Sequence, residues 1–204
     1  MRKHPQASPA TVDELGMERI VFFSDAVFAI AITLLALEIR LPVDAAELTD
    51  PELWSSLLAI WPKYLSFVIS FLVVGSFWIG HHRRFRLIKR YDSRLLFLNL
   101  LLMMAIAFIP FPTSIISENG NRAATIFYAL TVALTGLLSA LLWWYASHQN
   151  RLTDKLDTAQ HRHSMFYVLI TPTVFLASIG VAFIDPDLAK FSWMLIAPTV
   201  FLFR

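Results

Sequence analysis

Apolar residues dominate six stretches of the chain, roughly 19–41, 54–80, 95–117, 122–147, 164–184 and 188–203, and polar residues collect between them. About 20 mainly apolar residues in helical conformation cross a bilayer, so each stretch predicts a membrane span. The last is short and predicts a tilted or packed segment. "RLPVDAAELTDPEL" and "HHRRFRLIKRYDSR" flank the second span, "HQNRLTDKLDTAQHRH" separates the fourth from the fifth, and "SENGNR" and "DPD" read as tight polar turns. No internal repeat of clear similarity and no low-complexity tract interrupts this order. The expected fold class is an all-α membrane protein with six transmembrane helices per chain.

Composition points the same way. The 204 residues are 57% hydrophobic and only 16% charged, with a mean hydropathy of +0.60, whereas a soluble domain carries about 25% charge. The first residues are polar and lack the apolar core and cleavage site of a secretory signal. The absence of cysteine excludes disulfides, thiolate metal sites and cysteine nucleophiles. The net charge of +2 says less than its distribution. If six spans alternate, 13 of the 17 Lys and Arg fall on one side: the N-terminal segment, the connectors after spans two and four, and Arg204. The other side gathers Glu38, Asp44, Glu47, Asp50, Glu52, Glu118, Asp185 and Asp187. Basic flanks mark the cytoplasmic face, so both termini are expected there. Residues 1–17 form a cytoplasmic segment and 18–204 a membrane domain. The basic run at 81–94 flanks a span, which favours a topology signal or an anionic-lipid contact over nucleic acid.

The first span, "RIVFFSDAVFAIAITLLALEIRLP", carries polar residues that lipid does not favour. A helix turns about 100° per residue. With Ile30 at zero, Phe23, Ala26, Thr33, Leu34 and Leu37 fall within about 60° of it and form one stripe. Asp25 falls near about −140° and Ser24 near about +120°, off that stripe. Asp25 facing lipid is costly. Three roles remain open for it: a polar staple between helices, a proton or cation site, or a solvated interfacial group. Thr33 by itself is explained by a bond to its own helix at i−4, and an Ile-Leu stripe by packing.

Arg19, then Phe23-Ser24-Asp25 opening a helix, closely resembles the first-helix signature of the transmembrane protein 175 family of potassium channels. "SFWIGHHRRF" carries Trp78 and, three residues later, His81, similar to that family's second helix. "FLNLLLMMAIAFIPFPTSII", with Asn99 and Pro110-Phe-Pro112, resembles its third. The similarity spans about residues 15–117. It implies a prokaryotic single-repeat channel in the cell membrane, assembled as a homotetramer, with the pore lined by the first helix and no pore loop. Carried over by motif position, the constriction residues are Ile30, Thr33 and Leu37. The apolar rings would gate by dewetting, and Thr33 would offer hydroxyls to the ion path. Arg19, Ser24, Asp25, Trp78 and His81 would form a buried polar network behind the pore. The permeant ion implied is K⁺, held only transiently, with no cofactor. The acidic residues between spans one and two would concentrate cations at the outer mouth. No filter of backbone carbonyls is legible, so dehydration cost would rank the ions.

Adjacent His81 and His82 point about 100° apart on a helix and do not chelate together. His161 and His163 lack carboxylates at ligand spacing, so no metal is expected. No hydrolase, metalloprotease or phosphate-loop motif occurs, and no enzyme is expected. Two rivals to a channel remain: a proton-coupled transporter using Asp25 with His81, and a structural membrane adaptor. Transporters commonly break their helices at midplane, and neither Gly nor Pro interrupts span one.

Overall fold

The structure is a computed structural model and describes residues 9–41, 48–148, 151–153 and 156–194. Among these, five helices are long and apolar enough to cross a membrane: Glu14–Ala36, Trp61–Phe85, Ser93–Asn119, Arg122–Ser147 and Thr158–Ala182. They belong to α1 (Pro9–Ala36), α3 (Trp61–Phe85), α4 with α5 (Ser93–Phe108 and Pro110–Asn119), α6 (Arg122–Ser147) and α7 (Thr158–Ala182). Two shorter helices complete the described chain, α2 (Asp50–Ala59) and α8 (Pro186–Trp193). No strand is present among the described residues, only an isolated antiparallel bridge between Ile88 and Thr153.

Two expected spans differ from this arrangement. The expected second span, 54–80, straddles a break. Residues 54–59 belong to α2, and the membrane helix runs from Trp61 to Phe85. Pro62 lacks an N–H to continue the ladder, so the helix restarts at Ile60 (φ −85°, ψ 16°). The third span is divided at Ile109, because Pro110 and Pro112 remove two donors. The eight-residue α8, about 12 Å of helix, covers six residues of the expected sixth span; positions 195–203 of that span lie outside the described residues. The expected boundary between residues 17 and 18 falls inside α1.

Local chemistry sets the helix ends. Asp92 and Asn121 accept hydrogen bonds from the amides of Leu95 and Ala124, at 2.8 and 3.0 Å, and start α4 and α6. Gly120, at φ +56°, ends α5 in a left-handed cap that L side chains rarely adopt. Inside the bundle α6 and α7 make the most extensive pairing. Gly136 of α6 permits it: a Cβ there would stand 2.7 Å from Pro172 Cδ and 3.1 Å from its Cβ and Cγ. The proline ring is fixed in α7, so Gly136→Ala forces the helices apart. We expect a loss of about 1–3 kcal/mol, read as a lower thermal midpoint of the detergent-solubilised protein. Small residues commonly let membrane helices approach in this way. Polar staples add direction. Tyr128 of α6 lies 2.9 Å from Ser70 of α3, which accepts from Thr113 of α5 at 2.9 Å.

The two ends of the bundle differ in charge. At one end the connector after α3 meets the connector after α6: the amide of Lys89 donates to Leu152 O at 2.8 Å, and Arg151 lies over the Tyr145 ring. The start of α1 reaches the same end, where Gly16 abuts Tyr91. At the other end Lys63 donates to Arg40 O, Lys190 pairs with Asp187 and caps Gly120 O, and Arg122 donates to the last carbonyls of α7.

At the basic end, Asp92 ties these elements together. Partial burial pushes its carboxyl up. Hydrogen bonds from Tyr145 and from the amides of Leu95 and Arg94, with the Arg151 charge, outweigh that and hold it below the usual carboxylate range. The sign follows by linkage: a depressed folded pKa contributes stability above the unfolded value, and this is lost as pH falls through the folded one. Tyr145→Phe should therefore narrow the gap between the melting points at neutral and at acid pH. An unchanged gap would mean that Tyr145 does not set the Asp92 titration.

Candidate pore face and polar network

α1 carries two distinct faces. Ser24, Phe28, Ala31 and Leu35 are spaced four, three and four residues apart and are buried to 1% exposure or less. This is the helix stripe that faces the bundle. On the opposite side Ile30 and Leu37 are each 59% exposed, and Phe23 and Leu34 are 50% and 40% exposed. Thr33 is also exposed, and its Oγ1 donates to Ile30 O at 2.9 Å. The threonine thus bonds within its own helix, at i−3 rather than the expected i−4. Leu37 lies one residue beyond α1, where its amide bonds Leu34 O at 3.1 Å, so the last turn is tightened. Ile30, Thr33 and Leu37 therefore share a continuous, largely apolar face that no other helix covers among the described residues.

Behind this face the polar residues separate into two units. In the first, His81 Nε2–H donates to Asn99 Oδ1 at 3.0 Å, and Asn99 Nδ2 donates to Ser24 Oγ at 3.0 Å. Ser24 in turn donates to Ile20 O at 2.8 Å. All three side chains are buried, and the chain of bonds ties α3 and α4 to α1 without a formal charge. The His81 ring stacks on Phe85 at 4.0 Å between centroids and meets Phe28 at a tilt. Its Nδ1 is buried and has no partner among the described residues. In the second unit, Trp78 Nε1 donates to Asp25 Oδ1 at 2.8 Å and links α3 to α1 nearer the surface.

Arg19 joins neither unit. It is exposed and forms no hydrogen bond or ion pair with the others among the described residues. The cause is angular: eleven residues before Ile30, it falls about 20° from it on the helix, on the open face and about 140° from Ser24. Asn99, which the sequence reading left outside the network, is its central member. A lone amide in an otherwise apolar span is the signal that marks it.

Of the acidic residues expected at the outer mouth, Asp44 and Glu47 lie outside the described residues. Glu52 accepts from the amide and hydroxyl of Thr49 at 2.8 and 2.6 Å, as in a capping box. These bonds hold its carboxyl below the usual range. Among the described residues no group of three or more His, Cys, Asp or Glu side chains could hold a metal ion.

Comparison with known proteins gives this arrangement a context. The sequence pattern of the family described as Endosomal/lysosomal potassium channel TMEM175 matches residues 19–110. A potassium channel from Streptomyces collinus is 36% identical over 177 residues, covering 83% of this chain and 84% of that protein. The crystal structure of a lysosomal potassium-selective channel TMEM175 homolog from Chamaesiphon minutus superposes with a TM-score of 0.80 at 32% identity, over 92% of this chain and 97% of that one. The endosomal/lysosomal proton channel TMEM175 of Danio rerio is 30% identical over 193 residues, which is 90% of this chain but only 36% of that protein. The relatives are channels rather than enzymes, and the chain, an integral multi-pass membrane protein, belongs to the TMEM175 family.

Proposed function

We propose that the protein is a potassium-permeable channel that conducts passively through a central pore lined by α1. The observation that carries this reading is the two-faced α1, with its buried side fixed by Ser24, Phe28, Ala31 and Leu35 and its open side presenting Ile30, Thr33 and Leu37. A homotetramer around that open side would turn one stripe into rings. Rings of Ile30 and Leu37 form apolar constrictions that empty of water when narrow and so gate the pore. Thr33 adds a hydroxyl whose proton is already held by Ile30 O, leaving its oxygen free to accept from water or face a cation. Isoleucine supplies no ligand in place of the hydration shell, so preference for K⁺ over Na⁺ follows the lower cost of stripping water from K⁺. The gathering of basic connectors at one end supports a cytoplasmic placement of that end and of both termini, in a prokaryotic cell membrane, with a sixth span completing the bundle. No cofactor is required, and the pore holds K⁺ only in passage.

One observation favours a second reading, proton conduction or proton-coupled transport: His81 Nδ1, within the membrane bundle, has no partner among the described residues. Against it, Asp25 bonds Trp78 and His81 bonds Asn99, so the two titratable groups are not bonded to each other. Liposomes loaded with K⁺ separate the readings. Passive conduction predicts K⁺ efflux that follows the membrane voltage without a proton gradient and survives Asp25→Asn in whatever fraction folds. Efflux that requires a proton gradient, or that Asp25→Asn abolishes in folded protein, overturns it.

A further inference from the structure

At the basic end, a cavity of about 250 Å³ opens between α3, α6 and α7. Its polar wall includes Arg83, Arg84, Ser139, His163 and Thr171; its apolar wall includes Phe77, Ile79, Leu87, Val168 and Ile170. Among the described residues no carboxylate lines it. Arg83, Leu87 and His163 form an exposed rim, while Arg84 is half-buried.

Arg84 is the unexplained group. Arginine near the end of a membrane helix normally stretches its head outward to water. This one turns inward. Its guanidinium lies back over Gly80, where an added Cβ would stand 3.0 Å from Nη1 and 3.3 Å from Nη2. From there Nη2 donates to Ser139 Oγ at 2.6 Å. Ser139 is eight residues before the end of α6, about 12 Å along the helix. A guanidinium offers five N–H donors, and Ser139 is its one hydrogen-bond partner among the described residues. The only salt bridge among them is Lys190–Asp187, at the opposite end. A half-buried cation with no counterion among the described residues is costly unless an anion reaches it.

We propose that this cavity binds the phosphate of an anionic phospholipid, with Arg84 and Arg83 on the phosphate oxygens and the acyl chains leaving over Ile79 and Ile170. The fork of guanidinium donors suits phosphate geometry. The mixed lining suits a ligand with one charged group and an apolar remainder, and a basic pocket between membrane helices is where such headgroups settle. Free phosphate shares the polar chemistry but leaves the apolar wall unused.

The test is native mass spectrometry of the full chain in detergent, with phosphatidylglycerol, phosphatidylcholine of matched acyl chains, or inorganic phosphate added. The site predicts retention of phosphatidylglycerol over phosphatidylcholine by about tenfold or more. Arg84→Gln should remove that preference, whereas Arg94→Gln, a basic residue outside the cavity, should preserve it. Should Arg84→Gln fail to fold, the rim variant Arg83→Gln with His163→Gln should reduce the preference instead. Equal retention of both lipids, equal loss in Arg94→Gln, or displacement of phosphatidylglycerol by millimolar inorganic phosphate would each overturn the proposal.

Discussion

Ile30→Asn is expected to raise unitary conductance about tenfold and to weaken discrimination between K⁺ and Na⁺. A narrow apolar ring resists wetting, and an ion crossing it must shed water with nothing in return. An amide ring holds water and offers oxygens. Lowering the crossing barrier by about 1.4 kcal/mol is worth a factor of ten in rate. The gain falls on both ions, so the ratio between them shrinks. The substitution should leave the fold intact, because Ile30 is 59% exposed within the chain. The same change at Leu35, which is fully buried on the other face, should instead prevent folding by placing an unpaired amide in the core. Single-channel recording in planar bilayers with K⁺ and Na⁺ on opposite sides reads conductance and reversal potential together. Unchanged values for Ile30→Asn would move the gate off this stripe.

Asn99→Leu is expected to cost about 2–4 kcal/mol and to shorten the life of the solubilised protein. Leucine fits the volume, but it takes away the acceptor for His81 Nε2 and the donor to Ser24 at one stroke. His81 would then keep both ring nitrogens unpaired inside the bundle, since Nδ1 already has no partner among the described residues. Each buried polar group left unmade costs about 1–3 kcal/mol. Ser24 suffers less, because it retains Ile20 O. A cycle with Ser24→Ala separates the terms: the two changes share one bond, so their effects should sum to more than the double variant loses. Thermal unfolding in detergent measures all three variants. A loss below about 0.5 kcal/mol for Asn99→Leu would place it among ordinary surface changes and make the α1–α3–α4 chain of bonds incidental.

Much of this was legible in the sequence, for a reason specific to membranes. Lipid admits only helices or closed barrels, so a long apolar run already states its conformation. The five described spans, the segregation of basic from acidic connectors and the Ile30–Leu37 stripe all follow from one-dimensional pattern and a 100° turn. The Arg19 to Asp25 signature, with Trp78 and His81, placed the family as well. The same turn angle held the answer for Arg19, which shares the side of Ile30 and could not reach Ser24.

Other features depended on distance between residues far apart in the chain. That Asn99 joins His81 to Ser24, that Trp78 rather than Arg19 engages Asp25, and that Arg84 turns inward to Ser139 depend on which helices become neighbours and at what depth. Apolar pattern does not encode this, because lipid-facing and core-facing leucines read alike: Leu34 and Leu35 are adjacent, yet one is 40% exposed and the other fully buried. Hydropathy and charge act residue by residue, so the linear order of residues was enough to show a chain of membrane-crossing helices with basic connectors gathered together. Which polar groups meet was settled by the packing of the helices, because a hydrogen bond in the bundle requires two helices to bring donor and acceptor within about 3 Å.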